Sequence, residues 1–205
     1  EPGKGLGWQK AVRVDPPGKE LIPRDFEPMR SIREIAPHAI EQVGKQTWLL
    51  DFGENIAGRI RIPIKEKSGK EIIIRYSEMA KNGRIINAPR SHWWCHKEPQ
   101  RDIVIAGDKP VTYASRFTYK GFRWVEVSGL SKKPKASEVR AVVVNTDVET
   151  KARFSSSDPL LNRIWEMGLR THYSNMHSIL EDCPTREKCL WGGDILGSWS
   201  MGFHA

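Results

Sequence analysis

The sequence predicts a mixed fold, in which an antiparallel β-sandwich is followed by helices. Between Trp48 and Val148, apolar and polar residues alternate in several short runs, as they do on half-buried strands. Further along, apolar residues recur every three to four positions, which is the spacing of one helix face. The change of period lies within TKARFSSSDP (150–159). We therefore expect β structure to end near Asp147 and helical structure to begin near Pro159.

The first strands lie in GRIRIPIKEKSGKEIIIRYSE (58–78), which is typical of a hairpin whose turn is KSGK. Ile60, Ile62 and Ile64 alternate with more polar positions, so one face of the strand is buried and the other is wet. Pro63 cannot donate a ladder hydrogen bond, which predicts an edge strand or a bulge there. Further strands are expected at RDIVIAG (101–107), VTYASRFTY (111–119), FRWVEVSGL (122–130) and SEVRAVVVNTDV (137–148). Many short antiparallel strands at this spacing indicate a β-sandwich.

The first helix is predicted over residues 159–177. Its apolar positions are Leu161, Trp165, Leu169, Tyr173 and Met176. Asp158 is suited to the N-cap, and Pro159 to the first helical position, where its missing N–H costs nothing. A second helix is predicted after Asp194, and the residues of its apolar stripe are Ile195, Trp199 and Phe203. Two helices cannot bury their apolar faces alone, so we expect the chain to be cut inside an all-helical domain.

Composition narrows the class of partner. The formal charge of +8 comes from Lys and Arg scattered among acids, without the basic stripe and stacking aromatics typical of nucleic-acid binding. No apolar run approaches the roughly 18 residues of a membrane span, so we expect a soluble protein that binds neither nucleic acid nor membrane. Three Cys do not make a disulfide framework. The compartment and the oligomeric state stay open.

The sequence also predicts a division into domains. The chain begins at EPGKGLGWQK without an initiator Met or a signal peptide, which indicates the middle of a longer protein. The segment VDPPGKEL assigns residues 1–20 to the tail of a preceding module or to a connector. Residues 21–150 are then the β-sandwich domain, and residues 151–205 are the start of the helical domain.

The loop between the two helices, EDCPTREKCLWGGD (181–194), has four acidic residues among its fourteen. Carboxylates held close together push their proton affinities apart, so one can act as an acid while the others stay ionised. An Arg can orient one of them, and a Trp offers a flat apolar face of the kind that sugar rings lie against. These features favour a carbohydrate site formed by Asp182, Arg186, Glu187, Trp191 and Asp194. The alternative is a solvated acidic loop, with Asp194 as a helix cap and Trp191 packed in the core.

The two Cys of this loop do not predict a metal site or a nucleophile. They lie six positions apart, with neither a CxxC pair nor a His at ligand spacing, so no metal and no other cofactor is expected. The surrounding acids would disfavour a thiolate, so Cys183 is a poor nucleophile although His177 lies near in sequence. We interpret Cys183 and Cys189 as small buried thiols.

The loop resembles the signature around the catalytic acid of the bacterial α-L-rhamnosidases of glycoside hydrolase family 78. The matching residues are Asp182, Cys183, Pro184, Thr185, Arg186, Glu187, Trp191, Gly193 and Asp194. Upstream, DFGENIAGRIRI (51–62) resembles a strand entry of that family, RFTYKGFRWVEVSGL (116–130) a strand pair, and FSSSDPLLNRIWEMGLRTHYSNMHSI (154–179) its first barrel helix. The chain departs from the family at Leu190, where Gly usually precedes the Trp.

The resemblance implies a β-sandwich followed by an (α/α)6 barrel, and hydrolysis of terminal α-L-rhamnosyl bonds with inversion. Glu187 would be the general acid. Asp182 and Asp194 would hold rhamnose hydroxyls and favour retention of the proton on Glu187. Arg186 would contact the sugar or orient an acid, and Trp191 would contact the sugar. The partner would be a rhamnose-containing oligosaccharide or glycoside.

Inversion also needs a second carboxylate as base, about 6.5–9.5 Å from the acid. In the family this base is a Glu from a later barrel loop. We therefore expect the 205-residue chain alone to be inactive. Two alternatives stay open: a lyase of related fold that splits rhamnose from glucuronate, and a non-catalytic sugar-binding module in which Trp93 and Trp94 bind the glycan.

Overall fold

The computed structural model describes residues 10–18, 20–86 and 100–204. In this part of the chain ten strands precede two helices. The strands are β1 (Met29–Ile35), β2 (Ala39–Gly44), β3 (Thr47–Ile64), β4 (Glu71–Ser77), β5 (Ala80–Lys81), β6 (Arg84–Ile85), β7 (Arg101–Ile105), β8 (Val111–Ala114), β9 (Lys120–Ser128) and β10 (Arg140–Thr146). The helices are α1 (Pro159–Ser174) and α2 (Gly192–Phe203). The expectations for Trp93 and Trp94, and for the side chain of Phe203, lie outside the described residues.

Eight of these strands form one antiparallel sheet, whose main path is β1-β10-β3-β9-β4-β7. The long strand β3 has 18 residues, and it pairs with β2 near its start and with β8 near its end. Because different strands flank its two ends, the sheet curls around the core. The short strands β5 and β6 form a separate two-stranded sheet. The predicted antiparallel β domain followed by helices is confirmed, and its layers belong to one curled sheet.

The core lies inside this curled sheet. Ile60, Ile62 and Ile64 of β3 are each at most 1% exposed, as their alternation predicted. They belong to an apolar cluster that also contains Leu50, Ile72, Ile74, Phe122, Val125 and Val127. The pairing of β3 with β10 ends at Arg61, so at Pro63 the described strands leave only β8 as a neighbour. Pro63 therefore occupies the edge-like position that its missing N–H predicted.

Two strands that the alternation did not predict, β1 and β2, lie before Trp48. Strand β1 is exposed along almost its whole length, and its Ile32 is 43% exposed. It pairs with β10 at one edge of the sheet, where charged side chains face solvent. An edge strand of this kind has little apolar alternation to reveal it.

A bulge interrupts β3 within DFGEN. The register with β9 shifts between Asp51 and Ile56. Gly53 has φ +80°, a left-handed conformation open to Gly without steric cost, and its N–H donates to Asp51 Oδ1 at 2.8 Å. Arg123 of β9 donates two hydrogen bonds of 2.8 Å to the same carboxylate. This motif thus lies on a strand, four residues after β3 begins at Thr47, and it contains the bulge of that strand.

The same bulge joins the sheet to α1 through Glu54. Glu54 accepts hydrogen bonds of 2.6 and 2.8 Å from Arg33 of β1. Arg170 of α1 lies 3.4 Å from the second carboxylate oxygen. Partly exposed pairs of this kind each contribute about 1 kcal/mol or less. Their structural effect is to hold β1, the bulge and α1 together.

Helix α1 begins where the sequence predicted. Pro159 is its first residue, and the N–H of Leu160 donates to the side chain of Asp158 at 2.8 Å. The helix ends at Ser174, before the predicted end at residue 177. It stops there because the following turn makes hydrogen bonds to β10 instead of continuing the helical hydrogen bonds.

Two residues of β10 bind this turn. The carbonyl of Met176 accepts a hydrogen bond of 2.8 Å from the Thr146 N–H and one of 3.1 Å from the Thr146 hydroxyl. His177 is buried, and its Nε2 donates to the Val144 carbonyl at 2.9 Å. The turn is therefore attached to the last residues of the sheet.

The helices expose part of their apolar surface. Leu161, from the predicted stripe, is 45% exposed, and Trp199 of α2 is 52% exposed. Trp165 is half-buried against Phe154, with ring centroids 5.5 Å apart. Helix α2 begins at Gly192, earlier than predicted. Within the described part of the chain, no helix combines the length and apolar character that a bilayer crossing requires.

We predict that Ile60→Ala lowers the free energy of unfolding by about 2–5 kcal/mol, because Ile60 is fully buried and the substitution leaves a cavity. The matched variant is Ile103→Ala in β7, at the sheet edge, where Ile103 is 47% exposed and a loss of about 1 kcal/mol or less is expected. Urea unfolding followed by Trp fluorescence measures both. Equal losses of unfolding free energy in the two variants would contradict the position of the core inside the curled sheet.

Candidate active site

The segment between the helices closes on itself over residues 182–189, which we call the 182–189 loop. The N–H of Asp182 donates to the Cys189 carbonyl at 3.0 Å, and the N–H of Cys189 donates to Asp182 Oδ1 at 2.9 Å. Lys188 turns the chain back with φ 55°, in the left-handed region. The two ends of the loop are therefore held side by side.

Three of the five predicted site residues meet inside this loop. The Cys183 thiol donates to Asp182 Oδ2 at 3.0 Å and lies 3.5 Å from Glu187 Oε2. Arg186 Nε lies 3.4 Å from the same Glu187 oxygen. The Glu187 side chain is 9% exposed, so this carboxyl is withdrawn from bulk water. Asp182, Arg186 and Glu187 thus surround one thiol, which the sequence did not predict.

Electrostatics fix the charges of Asp182 and Arg186 in this cluster. Burial raises the pKa of Asp182, but hydrogen bonds from the Cys183 thiol and the Cys189 N–H outweigh it and hold this pKa below its ordinary value. Asp182 is therefore ionised at neutral pH. The pKa of Arg186 is raised by its hydrogen bond to Cys183, against burial, and by the nearby acids. Arg186 thus supplies a fixed positive charge.

The other two predicted residues, Trp191 and Asp194, lie at the start of α2. Trp191 is the N-cap residue and is 48% exposed, so the alternative that packs it in the core is wrong. Asp194 is exposed in the first helical turn, where a negative charge is favourable, but it is not the cap. The hydrogen bonds to the Asp182 carboxylate come from the Cys183 thiol and the Cys189 N–H, both within the 182–189 loop.

The expectation of small buried thiols is corrected. Cys189 is exposed, and Cys183 is only partly buried, at the centre of the acidic cluster. Both are free thiols. Donor atoms of Asp182, Cys183 and Glu187 lie within 4.8 Å of one another, the spacing of a possible metal site. However, the Cys183 thiol donates to Asp182, and Arg186 already provides positive charge beside Glu187. This donor set fits a hydrogen-bonded network better than a metal centre.

A cleft of about 660 Å³ opens beside the cluster. Its walls are the β3 bulge at Asn55, the exposed side of α1, and the loop at Asp182 and Cys183. The acidic cluster therefore borders a space large enough for a small ligand.

The loop is seated on the β domain at Gly121 of β9. A Cβ atom built at Gly121 would lie 2.4 Å from Thr185 Cγ2 and 2.8 Å from Pro184 Cγ. Pro184 and Thr185 are both buried. Only Gly leaves room for this approach, which accounts for its place in the TYKGF sequence.

Tyr119, just before β9, also contacts the segment, and sequence reasoning missed it. Its hydroxyl donates to Glu181 Oε1, and its ring stacks on His177 with centroids 3.8 Å apart and planes within 6°. Lys188 Nζ lies 4.1 Å from the ring centroid and donates to the Tyr119 carbonyl at 2.5 Å. Because His177 covers one face of the ring, the ammonium lies on the other.

Glu181 joins these groups into one buried cluster. Its Oε2 lies 3.2 Å from His177 Nδ1, and both side chains are at most 4% exposed. Burial, together with the hydrogen bond to Glu181 and its charge, raises the pKa of Tyr119 well above its ordinary value, so the phenol stays a donor. Burial, aided by the charge of Lys120, lowers the pKa of Lys188 to about 8.

Two family models match the chain in succession. Residues 41–145 match the bacterial α-L-rhamnosidase concanavalin-like domain, and residues 149–202 match the bacterial α-L-rhamnosidase 6 hairpin glycosidase domain. An α-L-rhamnosidase of Formosa agariphila is 32% identical over 189 residues, which are 91% of this chain and 20% of that protein. The chain therefore spans about a fifth of the length of this curated relative.

The chain is also similar to solved structures of α-L-rhamnosidases. The α-L-rhamnosidase from Dictyoglumus thermophilum is 32% identical, with a TM-score of 0.81 over 93% of this chain and 21% of that one. The Streptomyces avermitilis α-L-rhamnosidase, solved in complex with L-rhamnose, is 28% identical, with a TM-score of 0.73 over 83% of this chain and 16% of that one.

We predict that Lys188 makes stability rise with pH above about 8. The pKa of Lys188 is about 8 in the folded protein and 10.5 ordinarily, so between these values the unfolded chain binds a proton that the folded protein has lost. The free energy of unfolding of the wild type, minus that of Lys188→Met, should therefore increase across this window. Urea unfolding at several pH values measures it.

The matched control is Lys45→Met, at an exposed position after β2. Its difference from the wild type should stay constant over the same pH range. A constant difference for Lys188→Met as well would show that burial does not affect this ammonium.

Proposed function

Because the chain belongs to the bacterial α-L-rhamnosidases, we propose that it carries the acid side of a glycoside hydrolase that removes terminal α-L-rhamnose with inversion. The single observation that carries this proposal is the Glu187 carboxyl, 9% exposed and in one cluster with an ionised Asp182 that lines an open cleft. Homologous proteins named α-L-rhamnosidases span about five times the length of this chain. The activity is therefore proposed for the complete protein.

Glu187 is proposed as the general acid that protonates the leaving oxygen. Asp182 has a lowered pKa and is ionised at neutral pH, so it cannot be the proton donor. Glu187 lies in the same cluster, with 9% of its side chain exposed. Withdrawal from water supports proton transfer to a bound substrate rather than to solvent.

Asp182 is also unsuited to be the base of an inverting pair. One of its carboxylate oxygens lies within 4.8 Å of a carboxylate oxygen of Glu187. Inversion requires the two carboxyl groups to be about 6.5–9.5 Å apart, so that a water molecule fits opposite the leaving group. The Cys183 thiol moreover lies between the two carboxyl groups, 3.0 Å from Asp182 Oδ2 and 3.5 Å from Glu187 Oε2, so a sugar ring does not fit between them. We therefore assign the base to a carboxylate outside the 182–189 loop.

Asp182, Arg186, Trp191 and Asp194 are proposed to bind the sugar. The exposed face of Trp191 can stack on a pyranose ring, and the exposed Asp194 carboxylate can accept hydrogen bonds from hydroxyls. Arg186 is partly exposed and can donate to a hydroxyl while it holds Glu187. The proposed substrate is a rhamnose-containing glycoside or oligosaccharide, in line with the rhamnose bound by the Streptomyces relative.

We also propose the domain division 21–150 and 151–205, because separate family models cover residues 41–145 and 149–202. The match to a glycosidase domain disfavours the sugar-binding module. The names of the relatives disfavour the lyase. Formation of an unsaturated product that absorbs near-ultraviolet light would instead show that the protein is a lyase.

We predict that Glu187→Gln, in the complete protein, lowers kcat by about 10²-fold or more on rhamnosides with poor leaving groups. Aryl rhamnosides whose phenol leaves readily need little protonation, so their loss should be below about tenfold. Steady-state kinetics on both substrates measure the effect. Glu149→Gln, at an exposed position after β10, is the matched control and should leave both rates unchanged. Equal losses for Glu187→Gln on both substrates would assign it a role other than the acid.

We further predict that the 205-residue chain alone releases no phenol from an aryl α-L-rhamnoside. The acids of the loop motif lie within twelve positions of one another, from Asp182 to Asp194, and line one side of a sugar at most. The assay compares this chain with its Glu187→Gln variant. Turnover above that variant would mean that the base lies within these residues.

A further inference from the structure

We propose that Tyr119 is a positioning residue for the Glu187 carboxyl. Tyr119 binds the residues on both sides of the segment that contains Glu187, and so holds the Glu187 carboxyl in place. This inference rests on the proposed role of Glu187 as the acid. It gives the β domain a part in the reaction, although Tyr119 lies 68 positions (187 − 119) from Glu187 in the sequence.

The first contact lies just before the loop. The Tyr119 hydroxyl donates to Glu181, the residue that precedes Asp182. Glu181 is fixed from its other side by His177, whose ring stacks on Tyr119. His177 is in turn bound to Val144 of β10, so this flank of the loop is tied to two strands of the sheet.

The second contact lies just after Glu187. Lys188 places its ammonium 4.1 Å from the centre of the Tyr119 ring and donates to the Tyr119 carbonyl. A partly buried ammonium against an aromatic face is worth about 1–2 kcal/mol. Residues 181 and 188 thus converge on one side chain, and the six residues between them include both Asp182 and Glu187.

The middle of the segment is supported by β9, which begins directly after Tyr119. Gly121 contacts Pro184 and Thr185 so closely that a Cβ atom at position 121 would overlap them. The carbonyl of Gly121 accepts a hydrogen bond from Gln100, which fixes this strand start. A segment held at both flanks and at its middle has few conformations, so the Glu187 carboxyl is held with little freedom to move.

A purely stabilising role for Tyr119 would give a different kinetic result. Loss of folded protein lowers the rates on all substrates by the same factor. Loss of acid position lowers the rate in proportion to the need for protonation, and a shift of about 1 Å can cost about 10²-fold. The ratio of the losses on poor and good leaving groups therefore separates the two roles.

The experiment uses the complete protein with Tyr119→Leu, Tyr119→Phe and Glu187→Gln. Tyr119→Phe keeps the ring between His177 and Lys188 and removes only the hydroxyl. The matched control is Tyr113→Leu, since Tyr113 is also half-buried but packs against the apolar core of the sheet. Each variant is assayed for kcat and KM on a rhamnoside with a poor leaving group and on an aryl rhamnoside with a good one.

A second readout does not depend on activity. Cys183 is partly buried in the loop, so its alkylation by iodoacetamide reports whether the loop stays seated. Peptide mass spectrometry distinguishes it from the other two Cys. Release of the loop should speed the alkylation of Cys183 in Tyr119→Leu and leave it unchanged in Tyr113→Leu.

We expect Tyr119→Leu to lower kcat about 10- to 100-fold on the poor leaving group and less than about threefold on the good one, with KM changing less than kcat. Tyr119→Phe should lose less on the poor leaving group, and Tyr113→Leu should show equal factors on the two substrates. The proposal would be overturned if Tyr119→Leu lost kcat by the same factor on both substrates. It would also be overturned if Cys183 of this variant were alkylated at the wild-type rate.

Two further outcomes are also decisive. If Glu187→Gln shows no dependence on the leaving group, the proposed function fails and acid positioning fails with it, while the alkylation still reports whether Tyr119 holds the loop. If Tyr119→Leu does not fold, Lys188→Met replaces it, because this variant removes only the ammonium at the far flank. Equal factors on both substrates for Lys188→Met would then overturn the proposal.

Discussion

The attachment of the turn after α1 to the end of β10 sets the position of everything that follows it. Val144 and Thr146 supply the acceptors and donors that bind His177 and Met176. These hydrogen bonds hold the turn on the sheet just ahead of Glu181, which accepts a hydrogen bond from Tyr119. The site therefore depends on the end of an inner strand that contains none of the proposed catalytic groups. Its geometry is set by two domains at once.

Much of the fold could be predicted from the sequence, because its strongest signals are local. The alternation in β3 and the Asp158-Pro159 start of α1 each follow from residues adjacent in the chain. The errors occur where distant parts of the chain decide. The end of α1 depends on β10, and β1 is an exposed edge strand whose pairing leaves little trace in its own composition.

The site was predictable to a lesser degree. The motif brought out Asp182, Arg186 and Glu187, which do meet, because all three belong to one short closed loop. It could not reveal that Cys183 joins them, since a thiol between acids has no periodic signal. Tyr119 lies too far away in sequence, although its place beside Gly121 in TYKGF offered a hint: a Gly that interrupts a strand pattern often marks a close backbone approach.

The fit between Gly121 and the Pro184-Thr185 pair limits how such proteins can be recombined. A chimera with its crossover in the connection between β10 and α1 would take Gly121 from one parent and the 182–189 loop from the other. A parent with a larger residue at position 121 would place its Cβ atom 2.4 Å from Thr185 Cγ2, so the strand or the loop would have to shift. Recombination therefore requires a Gly at position 121 beneath the incoming loop, even though the junction itself lies on the surface.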